Sequence, residues 1–220
     1  ILTTTSAISY GLGLVRDRLL AARFGASIEL DIYNAAFIVP DLILNIFVAG
    51  ALQAAFVPLY TQLIYRNGNA KDPNRADRFA STVLTGALLI VIAVGIPAAV
   101  LMPWLSGVIA PGITGADRTE LIQLSRLLLL SPILFAISNT LGGMLVSKKS
   151  YLAYGLSPVL YNFGIVAGIL FLAPQFGIYG VGIGTIIVAG LHLLVRLGGI
   201  LRNGFSFRVA FDWREKQART

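Results

Sequence analysis

Charged and amide side chains stand inside stretches that are otherwise apolar, and their chemistry calls for explanation. The first such stretch holds Arg16, Asp17, Arg18 and Arg23. The second holds Asp31, Asn34, Asp41 and Asn45, a later one Arg126, and the last His192 and Arg196. A guanidinium offers a rigid fork of N–H donors that fits phosphate or carboxylate. A carboxylate beside it can hold the fork, or take a proton or a cation. On a helix, Ser9, Arg16 and Arg23 are seven residues apart and share one face. Asp31, Asn34, Asp41 and Asn45 fall within an arc of about 80° at ~100° per residue. A polar stripe on an apolar helix suits the wall of a water-filled cavity.

Other chemistries have no support. There is no cysteine and a single histidine. The chain also carries no P-loop, GxSxG, HExxH or EF-hand pattern. No catalytic residue, metal site or cofactor is therefore expected, and the chain is read as a non-enzyme. His192 reads as a packed polar residue. Gly142-Gly143 and Gly180, Gly182 and Gly184 read as places where helices approach closely. Arg23, Arg126 and Arg196 lie near helix ends, where a long arginine reaches out to the interface.

The elements that must position these residues follow from composition. Of 220 residues, 56% are hydrophobic and 12% charged, and mean hydropathy is +0.80. A soluble domain has about 25% charged residues, so a soluble globule and a disordered chain are both excluded. The fold class is an all-α integral membrane protein with six transmembrane helices. They are expected at Leu2–Arg23, Asp31–Tyr65, Phe79–Leu105, Thr119–Ser147, Tyr151–Ala173 and Gly177–Leu201. Long apolar runs without alternation argue against a β-barrel. The second helix would be about 52 Å long at 1.5 Å per residue, against a hydrocarbon core of ~30 Å. It must tilt, protrude or bend, and Pro40 and Pro58 supply bends. Pro97, Pro132 and Pro158 interrupt other spans.

The net charge of +7 is mostly a topology signal. Arg66, Lys71, Arg75, Arg78, Lys148, Lys149, Arg202, Arg208, Arg214, Lys216 and Arg219 all fall on one side, eleven of the seventeen basic residues. The positive-inside rule puts that side, with both ends of the chain, in the cytoplasm. No nucleic-acid partner is expected. Residues 1–201 then form a six-helix lobe. Residues 202–220 form a basic, aromatic tail suited to the lipid interface or to a linker.

Particular residues carry a family resemblance. The first helix reads Gly13-Leu-Val-Arg16-Asp17-Arg-Leu-Leu-Ala21-Ala-Arg-Phe24-Gly25, followed by Asp31-Ile-Tyr-Asn-Ala35-Ala-Phe37-Ile-Val-Pro40. Then come Phe47-Val-Ala-Gly50-Ala51 and Ala55-Phe56-Val57-Pro58. This resembles the amino-terminal region of the MurJ/MviN family, lipid II flippases of the multidrug/oligosaccharidyl-lipid/polysaccharide exporter superfamily. Ala110-Pro111-Gly112 and Ser157-Pro158-Val-Leu-Tyr-Asn162 also match, more weakly. The resemblance implies two helical lobes around a central cavity, this chain being the first and a carboxy-terminal lobe missing. It implies a bacterial cytoplasmic membrane location and movement of undecaprenyl-diphosphate-linked peptidoglycan precursor by alternating access, a step in cell wall biogenesis. The implied partners are that lipid-linked diphosphate and membrane lipids. Arg16, Asp17 and Asp31 occupy family positions; Arg23 and Asn34 join them as candidate substrate-binding residues. Asp41, Asn45 and Arg126 are candidates for coupling or for lining the cavity.

The sequence departs from the family pattern at several points. Tyr10 follows Ser9 where an arginine is usual, Leu44 and Asn45 replace a basic pair, and Ala49 replaces an acidic residue. These make the cavity less cationic. Two other readings stay open: a cation-coupled small-molecule exporter using Asp31 or Asp41, and a non-transporting membrane scaffold of the same fold.

Overall fold

The structure, a computed structural model, describes residues 2–46, 51–66, 69–70 and 73–202. The tail from 203 onward and the Phe47–Gly50 motif lie outside the described residues. The helices are α1 (Leu2–Phe24), α2 (Ile28–Leu44), α3 (Ala51–Ile64), α4 (Pro73–Ile109), α5 (Gly115–Leu128), α6 (Leu130–Ser147), α7 (Tyr151–Ala167) and α8 (Ala173–Arg202). A π-helical turn, Gly168–Leu172, joins α7 to α8. Besides helices there is, among the described residues, one two-residue antiparallel pairing, Tyr65–Arg66 with Asn69–Ala70, between α3 and α4.

The six expected spans map onto these elements with one correction. Over the span expected at Asp31–Tyr65 the structure describes α2 and α3, and residues 47–50 between them lie outside the described residues. Pro40 lies buried within α2 and does not end it. The span expected from Thr119 to Ser147 starts at Gly115 and breaks at Leu129, between α5 and α6. Three stretches are long and apolar enough to cross a membrane: Arg75–Ile109, Gly115–Ser147 and Tyr154–Arg202. Helix α1 misses that group because Arg16, Asp17 and Arg18 crowd one part of it, and α2 because it has 17 residues.

The third stretch is a helical hairpin, so it accounts for two passes. Gly164 packs on Val188, Gly168 on Gly184, and Leu172 on Gly180. Each step of four forward through α7 and the π-helical turn is matched by four backward in α8, which is antiparallel packing. A Cβ on Gly184 would sit 2.9 Å from the Gly168 Cα, so only glycine lets these backbones approach so closely. The chain reverses at Gly177, whose φ of 56° and ψ of −140° are open to glycine almost alone.

Prolines deprive a carbonyl four residues earlier of its N–H partner. Two such carbonyls are taken over by side chains. Pro132 leaves the Leu128 oxygen bare, and the Ser131 hydroxyl donates to it at 2.8 Å. Pro103 does the same to Ala99, and Arg126 Nε donates to that oxygen at 2.9 Å. Arg118 extends the same seam, donating to Pro103 O at 2.9 Å and to Ser106 Oγ at 3.1 Å.

Two apolar clusters mark the ends of the bundle. One joins Leu20, Ile32, Ile113, Leu121, Ile169 and Ile178. The other joins Phe56, Tyr60, Phe79, Met144 and Ile200, with Phe56 stacked on both Tyr60 and Phe79. The second end also carries the α3–α4 connection, the Lys148–Lys149 turn and the end of α8.

Arg196 overturns an expectation. It does not reach out to the interface: it is 4% exposed. Its NH1 donates to Ser138 O and to Asn139 Oδ1, both at 3.0 Å, and its guanidinium lies 5.0 Å from the Tyr154 ring centre. Glycine at 142 makes the room, since a Cβ there would meet Arg196 NH1 at 2.7 Å. One turn away, His192 Nδ1 shares a 2.7 Å hydrogen bond with Ser138 Oγ, and its ring sits edge-on to Phe135. His192 is a packed polar residue, as read from the sequence.

Candidate functional site

The packing of α1 against α7 brings the first group of polar residues together. Ser9 and Arg16, two turns apart on α1, both meet Asn162 of α7. Asn162 Nδ2 donates to Ser9 Oγ at 2.9 Å, to Ser9 O at 3.1 Å and to Pro158 O at 3.4 Å. Asn162 Oδ1 accepts from Arg16 NH1 at 3.3 Å. On its other edge Arg16 is held by its neighbour: Nε and NH2 lie 2.9 and 2.8 Å from Asp17 Oδ1. The guanidinium is therefore gripped on two sides and stays 30% exposed, with Asp17 60% exposed.

Arg16 and Asp17 face a cavity of about 360 Å³, lined also by Leu20, Tyr33, Asn34, Phe37, Asp41, Tyr161 and Ile165. The wall from α2 exists because Ser27 starts that helix. Its Oγ accepts from Leu30 N–H, and Glu29 and Asp31 in the first turn suit the positive end of the helix dipole. Tyr33 and Phe37 meet edge to face at 4.9 Å, and Tyr161 meets Phe135 likewise at 5.5 Å. The result is a small chamber with an aromatic rim, one cation, two carboxylates and an amide. It can receive an anion on Arg16 or a cation between Asp17 and Asp41. Among the described residues, no group of three or more His, Asp or Glu is placed to hold a metal ion.

The expected site residues divide. Arg16, Asp17, Asn34 and Asp41 share the chamber. Asp31 does not: it is exposed in the first turn of α2. Asn45 is exposed at the far end of α2, where its backbone N–H closes the helix on Asp41 O and Leu42 O. Arg23 lines a different, larger cavity of about 640 Å³ with Phe24, Glu29, Leu170 and Gly177. Arg126 is tied to the Ala99 carbonyl on α4, away from the chamber.

Sequence reasoning passed over the aromatic rim. Phe37 lies three residues after Asn34 and four before Asp41, so the stripe itself pointed to it. Tyr33 is one turn back from Phe37. Tyr161 carried no such signal, because it reaches the chamber only through the α1–α7 packing. Asn162 stood in the sequence only as part of a motif, with no role attached.

Comparison with known proteins gives a consistent picture. The family described as Lipid II flippase MurJ matches residues 20–220. A probable lipid II flippase MurJ of Borreliella burgdorferi is 29% identical over 209 residues, 93% of this chain and 39% of that protein. The lipid II flippase MurJ of Burkholderia cenocepacia is 31% identical, over 86% of this chain and 36% of that protein. A solved structure, lipid II flippase MurJ in an inward closed conformation, superposes with a TM-score of 0.76 at 26% identity, over 94% of this chain and 43% of that one. The chain thus spans about two fifths of the length of the relatives it matches.

Proposed function

The chain belongs to the MurJ lipid II flippase family, and on that premise we propose that it forms the amino-terminal lobe of a transporter. This transporter moves a polyprenyl-diphosphate-linked peptidoglycan precursor across the bacterial cytoplasmic membrane. Its second lobe is supplied by the remaining three fifths of the family's length. Alternating access then means rocking of one lobe on the other around a midplane site. In this reading the basic end of the bundle faces the cytoplasm, and the chain as given does not flip lipid as a monomer.

One observation supports the reading above all: Arg16 is held at the rim of a water-accessible chamber with part of its fork unspent. Of its five N–H groups, one on Nε donates to Asp17 and one on NH1 to Asn162, while NH2 is in ion-pair contact with the same Asp17 oxygen. Each terminal nitrogen keeps at least one N–H beyond these contacts, and such charge-assisted donors suit phosphate oxygens. Asp17 holds the arginine while the chamber is empty and yields it to the arriving diphosphate. Asp41, across the same chamber, is placed to take a proton or a monovalent cation when the charge balance changes. Asn34 is a neutral contact for the ligand. Arg23, Asp31, Asn45 and Arg126 are left outside the proposed binding set.

The test is leaflet exchange in proteoliposomes holding this lobe together with a second family lobe. Arg16→Ala is expected to slow exchange of a fluorescent polyprenyl diphosphate about tenfold or more, the loss that goes with one charge-assisted contact. Exchange at the unaltered rate would remove Arg16 from the site. Exchange by the 220-residue chain alone, as a monomer, would refute the two-lobe requirement.

A further inference from the structure

We infer that Asn162 is a positioning residue for anion capture: it sets the orientation of the Arg16 fork toward the chamber. This rests on the reading of Arg16 as the anion-binding residue. The side-chain amide has one direction available to it. Ser9 O and Pro158 O are carbonyls and can only accept, at 3.1 and 3.4 Å from Nδ2. The amide nitrogen must therefore face α1's backbone and its own preceding turn, and Oδ1 must face Arg16. A flipped amide would set an oxygen against two carbonyl oxygens and an NH2 against a guanidinium.

The anchors of this amide are firm. Ser9 is buried at the α1–α7 contact, and the Ser9 Oγ accepts the strongest of the three bonds at 2.9 Å. Asn162 is thus fixed to two helices and offers a single acceptor to a side chain that is otherwise mobile. An arginine gripped only by Asp17, its sequence neighbour, would swing with that carboxylate, because both sit on the same turn of α1. The Asn162 acceptor comes from another helix and gives the guanidinium plane a second fixed point. The remaining donors are thereby set before the ligand arrives, which lowers the entropy lost on binding. Tyr161, next in sequence and on the chamber wall, ties the same turn of α7 to the site.

The experiment uses the purified chain in nanodiscs and measures equilibrium binding of undecaprenyl diphosphate, alongside thermal unfolding. Asn162→Leu is expected to weaken binding about tenfold, as loss of a bond to a charged group would. Ser9→Ala, which loosens the amide without touching Arg16, is expected to weaken it about threefold, as loss of a neutral bond would. In the Arg16→Lys background, where charge remains but the fork is gone, Asn162→Leu is expected to change affinity less than about twofold, because the two residues act as a unit. An equal loss in both backgrounds would show that Asn162 only supports the fold and would overturn the inference. So would unchanged affinity for Asn162→Leu and Ser9→Ala while Arg16→Ala abolishes binding. If Arg16→Ala itself binds normally, the anion-site reading fails first. Asn162→Gln, which keeps both amide functions, is expected to restore at least part of the affinity; no recovery, in a variant that unfolds normally, would count against positioning.

Discussion

Two arginines in this molecule make the same contact and end in opposite conditions. Arg16 of α1 and Arg196 of α8 each donate NH1 to an asparagine Oδ1, at 3.3 and 3.0 Å. Around Arg16 the chain leaves a chamber, a carboxylate neighbour and 30% exposure. Around Arg196 it closes completely, with a carbonyl, a tyrosine face and a glycine against the guanidinium. No carboxylate pairs with Arg196 among the described residues, and its Nε has no partner there. The difference is one of free donors in reach of a ligand. A buried cation cannot meet a substrate, so Arg196 serves to join α6, α7 and α8. Arg16, joined to only one other helix by its side chain, is left able to bind.

That contrast can be broken by experiment. The largest effect is expected at Arg196. Arg196→Ala leaves a cavity and an Asn139 acceptor without its donor, for a loss of about 2–4 kcal/mol in folding free energy, visible as a lower unfolding temperature in detergent. Arg16→Ala should leave that temperature nearly unchanged, within about 0.5 kcal/mol, and act on diphosphate binding instead. If the two variants exchange these behaviours, the division between strut and site is reversed. A middle-sized effect is expected where prolines meet side chains. Ser131→Ala and Arg126→Ala each strip a carbonyl of its substitute donor and should cost about 1 kcal/mol without altering ligand affinity. A binding defect in Arg126→Ala would return that residue to the site. The smallest effect is expected for Asp17→Asn. It removes the charge that competes with an anion for Arg16, and should tighten diphosphate binding by about two- to threefold, the scale of an exposed ion pair. Weaker binding would mean that Asp17 orients the fork more than it competes for it.

Much of this was legible before the structure. The apolar runs defined the passes, and the seven-residue spacing of Ser9 and Arg16 put both on the face that meets Asn162. The 80° arc in α2 brought Asn34 and Asp41 into one chamber. It misled at Asp31 and Asn45, because face geometry says nothing of how far along an axis a cavity extends. Arg196 looked like an interfacial residue because its place near a helix end was visible, whereas the space opened by Gly142 on another helix was not. Tyr161 and Asn162 belong to the same class: their roles arise from α1–α7 contact across about 150 residues of sequence.

The Pro103 seam also bears on how the protein is made. In lipid, a bare backbone oxygen has no water to turn to, and an arginine side chain entering alone is equally costly. Helix α4 holds such an oxygen at Ala99, and α5 holds the arginine that covers it. Each helix thus supplies what the other lacks. Inserted as a pair, α4 and α5 enter the bilayer with both groups already satisfied.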